Sequence, residues 1–562
     1  MKNTIKKTFQ QSIYLMGIIS ALFIVSCDSY LDVDTDMDAP TVAPVNQLLT
    51  NVGLGIRNNG DYRLYSGNIL GTYMHQFTFR EEQDQYDAKA SNTLLNNEWN
   101  NTYLVLNDIE SLIKTADLQG HSRYVGIAQI LKAYLMHVTV DVWGDVPYSE
   151  ATKLEAGIVG AKFDNQKEIY KAIFTLIDEG KANINLAKGR TVGTDDLYYA
   201  GNMTRWIKFA NTLKLKLYNQ VRLTDVFVQA DFNALIAENN FFTSIADDFE
   251  FKHTINQSPS DERNRLYLGS YGGTQASYYF SPWFYEILRG WNPSIHNNNP
   301  DPRRLYYMFN QLRANQNPEH MIGTTPRADY WDRNTGFFSI RFGSTGNDRN
   351  LSADNSATFP GIFVSGGRYD DGLGGKPSIT SSNGRAPRRM LTYDEYLYIR
   401  AELIHNGVIT GTTAVEALKT AVNASFAKVD QVVTTVGNSQ TVPKLVGSAG
   451  VITFLSNLET EFNVASVNKK LEIIMTQKWV ATFGDHLDQY NDYRRTGYPI
   501  LADPNSITKE YQLVMDVPLN DSSTSSFNPF PQSIYWPQNE LNLNKNAPAQ
   551  KNQATYKLFW AK

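Results

Sequence analysis

The chain has 562 residues, a formal net charge of −5 at pH 7 and a hydrophobic content of 42%. This length suffices for one large domain or several ordinary ones, and for a sizeable core. The mild excess of acidic residues, without a basic patch, disfavours binding to nucleic acid through its phosphates. Aromatic residues make up 12% of the chain, including 32 Tyr and 9 Trp, and provide many flat amphipathic surfaces.

Residues 1–26 have the organisation of a secretory signal peptide. Three lysines, at positions 2, 6 and 7, precede the largely apolar residues 13–25, and no acidic residue comes before Asp28. This apolar run is too short to span about 30 Å of hydrocarbon comfortably, but it has the length of a signal-peptide core. We find no other apolar run of membrane-spanning length, so we expect any attachment to come from a lipid.

Cys27 is the only cysteine in the chain, and it follows Ile24-Val25-Ser26. This order of two branched residues, a small residue and cysteine resembles a bacterial lipobox. We interpret Cys27 as the lipidation site, with cleavage before it and diacylglycerol on its sulfur. Three acyl chains would hold firmly, since each buried methylene contributes about 0.8 kcal/mol. The alternatives are an ordinary signal peptide with an incidental cysteine, or a buried thiol.

Residues 27–45 are predicted to form an acidic tether. Four aspartates alternate within residues 32–38, in a pattern similar to a calcium loop. Met37 and Ala43, however, stand where an EF-hand requires Gly and Glu. We therefore favour a proline-bearing tether over a metal site, and a structural calcium ion remains an open alternative.

Two stretches, 94–225 and 391–490, have the apolar spacing of helices. The segments predicted as helices are residues 94–113, 124–142, 165–177, 206–221, 391–406, 413–427 and 469–485. Three of them begin with a predicted capping box, namely Asn165/Glu168, Thr392/Glu395 and Thr413/Glu416. Adjacent helices with short connections predict an all-α, tetratricopeptide-like array of helix pairs, although no strict 34-residue repeat is visible.

Residues 251–390 interrupt this helical scaffold. They hold 15 of the 37 glycines and three tryptophans, and the run YYFSPWFYEILRGW is the densest aromatic cluster. A long irregular stretch inside a compact domain is expected only where it is functional and packed on a scaffold.

The sequence lacks the common motifs of enzymes and metal sites. Its eight histidines are far apart and provide no His-Glu-x-x-His spacing. The run DGLGGKPS at 371–378 lacks the first glycine of a phosphate loop and has Pro377 in place of Ser or Thr. No Gly-x-Ser-x-Gly elbow is present. We therefore predict a protein without enzymatic activity, cofactor or metal, and the rival classes are a lipid-anchored hydrolase and a structural repeat scaffold.

Seven motifs in chain order resemble the SusD/RagB family of outer-membrane nutrient-binding lipoproteins, in particular its SusD-like branch. They are AYLMHVTVDVWGDVPYSEA (133–151), FDNQKEIYKAIF (163–174), MTRWIKFANTLKLKL (203–217), DPRRLYYMF (301–309), LTYDEYLYIRAEL (391–403), QKWVATFGDHLDQYNDYRRTGYPIL (477–501) and YWPQNELNLN (535–544). The resemblance runs from Cys27 to the end, and so covers essentially the whole mature chain.

This resemblance implies one domain, residues 46–562, built as a right-handed array of helix pairs with loop insertions on the ligand face. It implies a Bacteroidota lipoprotein of the cell outer membrane that faces the exterior, and the acidic residues after Cys27 resemble the surface-export signal of such proteins. The implied partner is a SusC-like, TonB-dependent barrel, which the lipoprotein caps as a lid. The implied ligand is a glycan or, as in RagB-like members, a peptide, and the sequence does not decide between them.

The motif residues themselves are interpreted as structural. Trp143, Gly144 and Pro147 are expected where a helix ends, because glycine and proline stop helices. Arg494 and Arg495 are expected to pair with carboxylates inside the fold rather than to contact ligand.

The ligand site is expected in the loops, where aromatic rings can stack on sugars and polar groups can bind their hydroxyls. The candidates fall into two stretches, and they are Trp283, Trp291, Trp331, Tyr278 and Tyr279 in one and Tyr73, Gln76, Arg80 and Tyr86 in the other. We expect at least one of the three tryptophans to line the site. The alternative for each aromatic residue is a role as a loop-anchoring core residue, which we favour for Tyr285.

Overall fold

The structure is a computed structural model that describes residues 43–59, 61, 65–79, 86–273, 278–319, 330–343, 355–502 and 528–562. The predicted signal peptide, Cys27, nearly all of the tether, and Arg80 lie outside the described residues. The predictions for them therefore stay predictions.

The described residues form seventeen α-helices, so the predicted all-α class is confirmed. The helices are α1 Val45–Asn58, α2 Tyr65–Tyr73, α3 Thr93–Leu118, α4 Ser122–Trp143, α5 Gln166–Leu186, α6 Met203–Val221, α7 Gln229–Glu238, α8 Arg265–Tyr271, α9 Pro282–Arg289, α10 Arg304–Tyr307, α11 Ile362–Ser365, α12 Tyr393–His405, α13 Ala414–Val436, α14 Ala449–Val464, α15 Val467–Ala481, α16 His486–Thr496 and α17 Gln538–Leu543.

Ten short strands accompany the helices. They are β1 Phe77–Phe79, β2 Val146–Pro147, β3 Phe163–Asp164, β4 Phe249–Phe251, β5 Tyr278–Phe280, β6 Met308–Phe309, β7 Tyr330–Asp332, β8 Phe337–Ser339, β9 Phe359–Pro360 and β10 Arg388–Leu391. They pair into two-stranded antiparallel sheets, β1 with β5, β2 with β3, β4 with β10, β6 with β9 and β7 with β8.

The seven predicted helices correspond to α3, α4, α5, α6, α12, α13 and α15. Helix α13 extends past the predicted end at residue 427, because Val429, Val432 and Val436 continue its buried face. The other ten helices of the described residues were not predicted, and the longest of them are α14, α1 and α16. Consecutive helices pack in pairs over short connections, as α3 and α4 do across residues 119–121 and α14 and α15 do across residues 465–466.

Two of the three predicted capping boxes make the expected N-cap bond. The side chain of Asn165 accepts a hydrogen bond from the backbone nitrogen of Lys167, and Thr413 accepts one from that of Glu416. Thr392 is the N-cap residue of α12 but makes no side-chain capping bond. The prediction for Thr392/Glu395 is therefore wrong in its chemistry, because Glu395 is buried in an ionic network instead.

Helix α4 is the central helix of the core. It is the one helix among the described residues that is long and apolar enough to cross a membrane. From the sequence we found no further apolar run of that length, and α4 is an exception by length and composition. Its apolar window is 89% buried inside the protein, so it is a core helix.

Helix α4 ends against the C-terminal segment. Trp143 is fully buried, and Gly144 ends the helix with a φ of 76° while its nitrogen donates to the carbonyl oxygen of Val140. A Cβ atom on Gly144 would lie 2.5 Å from the ring of Tyr556. Pro147 ends strand β2, three residues beyond Gly144, and pairs with Phe163 of β3. The structural role predicted for these three residues is confirmed.

A buried ionic network joins the two scaffold stretches. Lys216 of α6 pairs with Asp488 of α16 and lies 3.6 Å from Glu395 of α12. Lys478 of α15 lies 2.8 Å from Asp492 and 3.6 Å from Glu395. Helices α6, α12, α15 and α16 are therefore linked by charges that are largely shielded from solvent, with Lys216 the most exposed at 11% of its side chain.

The two motif arginines have different partners. Arg495 binds both carboxylate oxygens of Glu402, with one bond of 2.8 Å, so its predicted pairing is confirmed. Arg494 donates instead to the backbone oxygens of Asp141 and Gln532. The prediction that Arg494 pairs with a carboxylate is wrong, because this side chain donates to backbone carbonyl oxygens. Its guanidinium also lies 3.8 Å from the centre of the Tyr490 ring.

The carboxylates of the network have opposite pKa shifts. Asp485 belongs to the same network, with a carboxylate oxygen within 4.8 Å of those of Asp488 and Glu395. Burial, together with the neighbouring Asp488, raises the pKa of Asp485 to about 8. Burial also acts to raise the pKa of Asp488, but the ammonium groups of Lys216 and Lys478 outweigh it and hold that pKa at about 2. At neutral pH the network therefore keeps Asp488 charged and Asp485 protonated.

We expect Gly144→Ala to lower the free energy of unfolding by about 2 to 4 kcal/mol, because the added Cβ collides with Tyr556 and strains a positive φ. Gly120→Ala is the matched control. It also has a positive φ, of 72°, but nothing lies within 4 Å of its added Cβ, so a loss of about 1 kcal/mol is expected. Thermal and denaturant unfolding measure both variants. Equal losses would contradict the packing role of Gly144.

We expect Asp485→Asn to be tolerated and Asp488→Asn to lose about 3 to 5 kcal/mol, because only the second leaves buried lysines without their charged partner. The raised pKa of Asp485 means that the folded state binds a proton more tightly than the unfolded state. The wild type should therefore lose stability relative to Asp485→Asn as the pH rises from about 4 to about 8. Unfolding free energies of both proteins, measured across this range, test the prediction. A wild type that becomes more stable relative to Asp485→Asn as the pH rises would contradict it.

Candidate functional site

The two stretches that contain the ligand-binding candidates lie side by side in the structure. Strand β1, within residues 73–86, pairs with β5, and the register joins Phe77 to Phe280 and Phe79 to Tyr278. The two stretches are about 200 residues apart in the sequence, and no local pattern indicates their pairing.

A third segment, the β7–β8 hairpin, attaches to this sheet. The hydroxyl of Thr78 donates to the carbonyl oxygen of Ile340, and that of Ser339 donates to the carbonyl oxygen of Phe280. Phe342 stacks on His75 with their ring centres 4.1 Å apart. Residues 251–390, called the insertion below, therefore contact residues 73–79 through both strand β5 and the β7–β8 hairpin.

Most candidates in residues 73–86 are core residues in this structure. Tyr73 is fully buried and meets Tyr86 edge to face at 5.4 Å. Tyr86 is 5% exposed, and its hydroxyl lies 2.9 Å from the Nε2 atom of His75. The side chain of Gln76 donates to the carbonyl oxygen of Trp479 at 2.8 Å. These three side chains anchor the segment and offer almost no surface to a ligand in this conformation.

The insertion has a small hydrophobic core of its own, which contains two further candidates. Tyr279 and Trp331, each 1% exposed, pack in it with Phe309, Phe338 and Tyr271 among others. Tyr285 is also buried, as expected, and stacks on Phe337 at 3.7 Å. Tyr278 lies in β5 opposite Phe79. The expectation of ligand contact is thereby corrected for Tyr279 and Trp331, because a buried ring cannot stack on a sugar.

Trp283 and Trp291 are the tryptophan candidates that retain exposed surface. Trp283 lies in the first turn of α9 and is 9% exposed, and its indole nitrogen has no hydrogen-bond partner within the described part of the chain. Trp291 is half-buried, with the guanidinium of Arg289 4.4 Å from its ring centre. Together these two residues place a slightly exposed ring and a half-buried ring after strand β5. The indole nitrogen of Trp283 is itself buried, as is that of Trp331, which likewise has no partner among the described residues.

A cluster of three carboxylates is the one place in the described residues where a metal ion could find several ligands. It comprises Glu395, Asp485 and Asp488. Lys216 and Lys478 already supply positive charge there. We therefore interpret the cluster as the structural ionic network and not as a metal centre.

Three larger cavities open elsewhere on the described surface. One of about 380 Å³ is apolar and lies between α7 and α12, and one of about 370 Å³ borders Trp99 and Leu543. The third, of about 350 Å³, is rich in asparagine and is lined by residues 293–299 and helix α14. None of the seven candidates whose side chains the structure describes lines these three cavities, and the asparagine run was not singled out from the sequence.

Comparisons with solved structures show the same fold in several proteins. A chitin-binding protein is 21% identical, with 92% of this chain and all of that chain covered and a TM-score of 0.67. A chitin-binding SusD homologue from Flavobacterium johnsoniae is 18% identical, with coverage of 92% and 98% and a TM-score of 0.61. A SusD homologue from Bacteroides fragilis is 19% identical, with coverage of 89% and 94% and a TM-score of 0.62.

No curated protein sequence matches the chain. The SusD-like family, described as starch-binding and associating with the outer membrane, matches residues 37–516 by its sequence profile. This match covers most of the chain, and the homologues are binding proteins rather than enzymes, in agreement with the expectation from the sequence. The chain belongs to the SusD-like family of nutrient-binding proteins associated with the outer membrane.

Proposed function

We propose that the protein is a lipid-anchored, surface-exposed receptor that captures a glycan and delivers it to a cognate SusC-like, TonB-dependent barrel. The observation that carries this proposal is the match of most of the chain to a family described as starch-binding. Two solved proteins of the same fold are named chitin-binding, which supports a polysaccharide as the ligand.

Trp283 and Trp291 are the residues proposed to meet the glycan. Trp283 is 9% exposed, so only a small part of its ring can contact a sugar, and Trp291, which is half-buried, offers the larger surface. Trp291 is held by Arg289 on one side and by the edge of Tyr285, 6.1 Å away, on another. A ring that is already fixed loses little conformational entropy when a sugar stacks on it.

The anchored scaffold supports the same role. Strands β1 and β5 and the β7–β8 hairpin are tied to one another by backbone and hydroxyl hydrogen bonds, and Gln76 ties β1 to α15. Recognition residues are commonly placed on loops that a rigid scaffold positions. Peptide capture for the same kind of transporter is the alternative outcome of the binding test.

We expect Trp283→Ala or Trp291→Ala to weaken glycan binding about ten- to hundredfold for at least one of the two, with the melting temperature lowered by a few degrees at most. Glycan and peptide arrays on the mature chain identify the ligand, and calorimetry then measures the dissociation constants. Trp331→Ala is the control, and it should lower the melting temperature markedly because that ring is buried. Binding unchanged in both test variants would move the site away from these residues.

We expect Cys27→Ala to prevent acylation and to release the protein from the outer membrane, because no other anchor is proposed. Membrane fractionation after a high-salt wash, with mass spectrometry of the N-terminus, measures both effects. The control is Ser26→Ala, which keeps a small residue before the cysteine and should remain acylated. Retention of the Cys27→Ala protein in the outer-membrane fraction would contradict the anchor assignment.

A further inference from the structure

We propose that the asparagine-rich cavity between residues 293–299 and helix α14 is a second glycan subsite, selective for neutral sugars. This inference rests on the proposed function, because it takes a glycan as the ligand. It adds the location of a second binding site and a preference for uncharged sugars. The lining residues are Pro293, Ser294, Ile295, Asn297, Asn298, Asn299, Asn457 and Glu461.

The cavity is built on a loop that its neighbours hold firmly. The backbone nitrogen of His296 donates to Glu461 at 2.9 Å, and its Nδ1 atom lies 2.8 Å from the other oxygen of that carboxylate. The side chain of Asn299 donates to the carbonyl oxygen of Phe454 at 3.1 Å. Loop and helix are thus joined at two points, so the cavity walls are already in place before a ligand binds.

The cavity presents free amide groups. Asn297 and Asn298 are exposed, and their side chains make no hydrogen bond within the residues that the structure describes. Asn457 projects from α14 and donates weakly, at 3.3 Å, to Asn299, which leaves its own oxygen available. An amide offers a donor and an acceptor side by side, which matches the paired hydroxyl groups of a sugar.

The charge around the cavity favours neutral sugars. His296 and Lys469 outweigh the effect of burial and hold the pKa of Glu461 below its ordinary value, so this carboxylate is ionised at neutral pH. The nearby Lys469 lies 2.6 Å from Glu472 and also donates to the carbonyl oxygen of Ser294, so its charge is already paired. The amide nitrogen of Gln477 donates to the Nε2 atom of His296 at 2.9 Å, so His296 acts on Glu461 as a hydrogen-bond donor through Nδ1 and does not cancel its charge. The negative charge of Glu461 would therefore repel a uronic acid.

The geometry of the loop determines which variants are useful. His296 and Asn298 have positive φ values, of 53° and 58°, so substitution there would disturb the backbone. Asn297 and Asn457 are exposed and free of this constraint. Asn97→Ala with Asn100→Ala is a matched control, since both residues are exposed on helix α3 and line none of the described cavities.

The test uses the mature chain with chitohexaose, cellohexaose and maltohexaose as neutral probes and hexagalacturonate as the acidic probe. For the neutral probe that binds the wild type, Asn297→Ala with Asn457→Ala should raise the dissociation constant about three- to tenfold, as expected for lost hydrogen bonds. The control pair should leave it unchanged, and the melting temperature of both should stay within a few degrees of the wild type.

Asn457→Lys tests the charge class independently. Positions 457 and 461 are neighbours on one face of α14, so the added ammonium group should pair with Glu461 and offset its charge, and hexagalacturonate should bind more tightly than it does to the wild type. No gain of acidic binding, with neutral binding also unchanged in the asparagine double variant, would overturn the subsite while the proposed function stands. A wild type that binds no glycan would overturn both, and that result is recognised before any variant is made.

Discussion

The structure depends on the requirement that buried charges be paired. Lys478 of α15 is buried and Lys216 of α6 nearly so, with 11% of its side chain exposed, and an uncompensated ammonium at either position would be severely destabilising. Asp488 and Asp492 of α16 are their close partners, and Glu395 of α12, whose pKa is raised by burial, lies 3.6 Å from both lysines. Because α6 precedes the loop-rich insertion and the other three helices follow it, the network specifies how the two scaffold stretches meet.

The insertion becomes ordered around this scaffold by a different means. Its small aromatic core buries Tyr279 and Trp331, and strand β5 pairs with β1, which belongs to the N-terminal part of the chain. Hydrogen bonds of Thr78 and Ser339 then tie the β7–β8 hairpin to both strands. Much of the aromatic richness in this region therefore serves packing, and a smaller part remains for recognition.

This division explains why a ligand site is harder to predict than a helix. A helix is specified by neighbours three and four residues away, so periodicity predicted the presence of α3, α4, α5 and α6, and the bounds of α4 within two residues, although α5 continues nine residues beyond its predicted end. An aromatic residue in a loop can lie in a core or at a surface with the same neighbours in sequence. Trp331 and Trp291 illustrate the two outcomes, since the first is buried and the second is half-buried over Arg289.

The sequence by itself determined the class of fold, the main helices, the family resemblance and the helix end at Gly144, because each depends on local spacing or on an ordered set of motifs. Only the tertiary structure decided that Arg494 binds backbone carbonyls, that β1 pairs with β5, and that an asparagine-lined cavity forms against α14. These features join residues separated by more than a hundred positions. Their contacts depend on how helices pack around paired charges, and local sequence carries no signal of that packing.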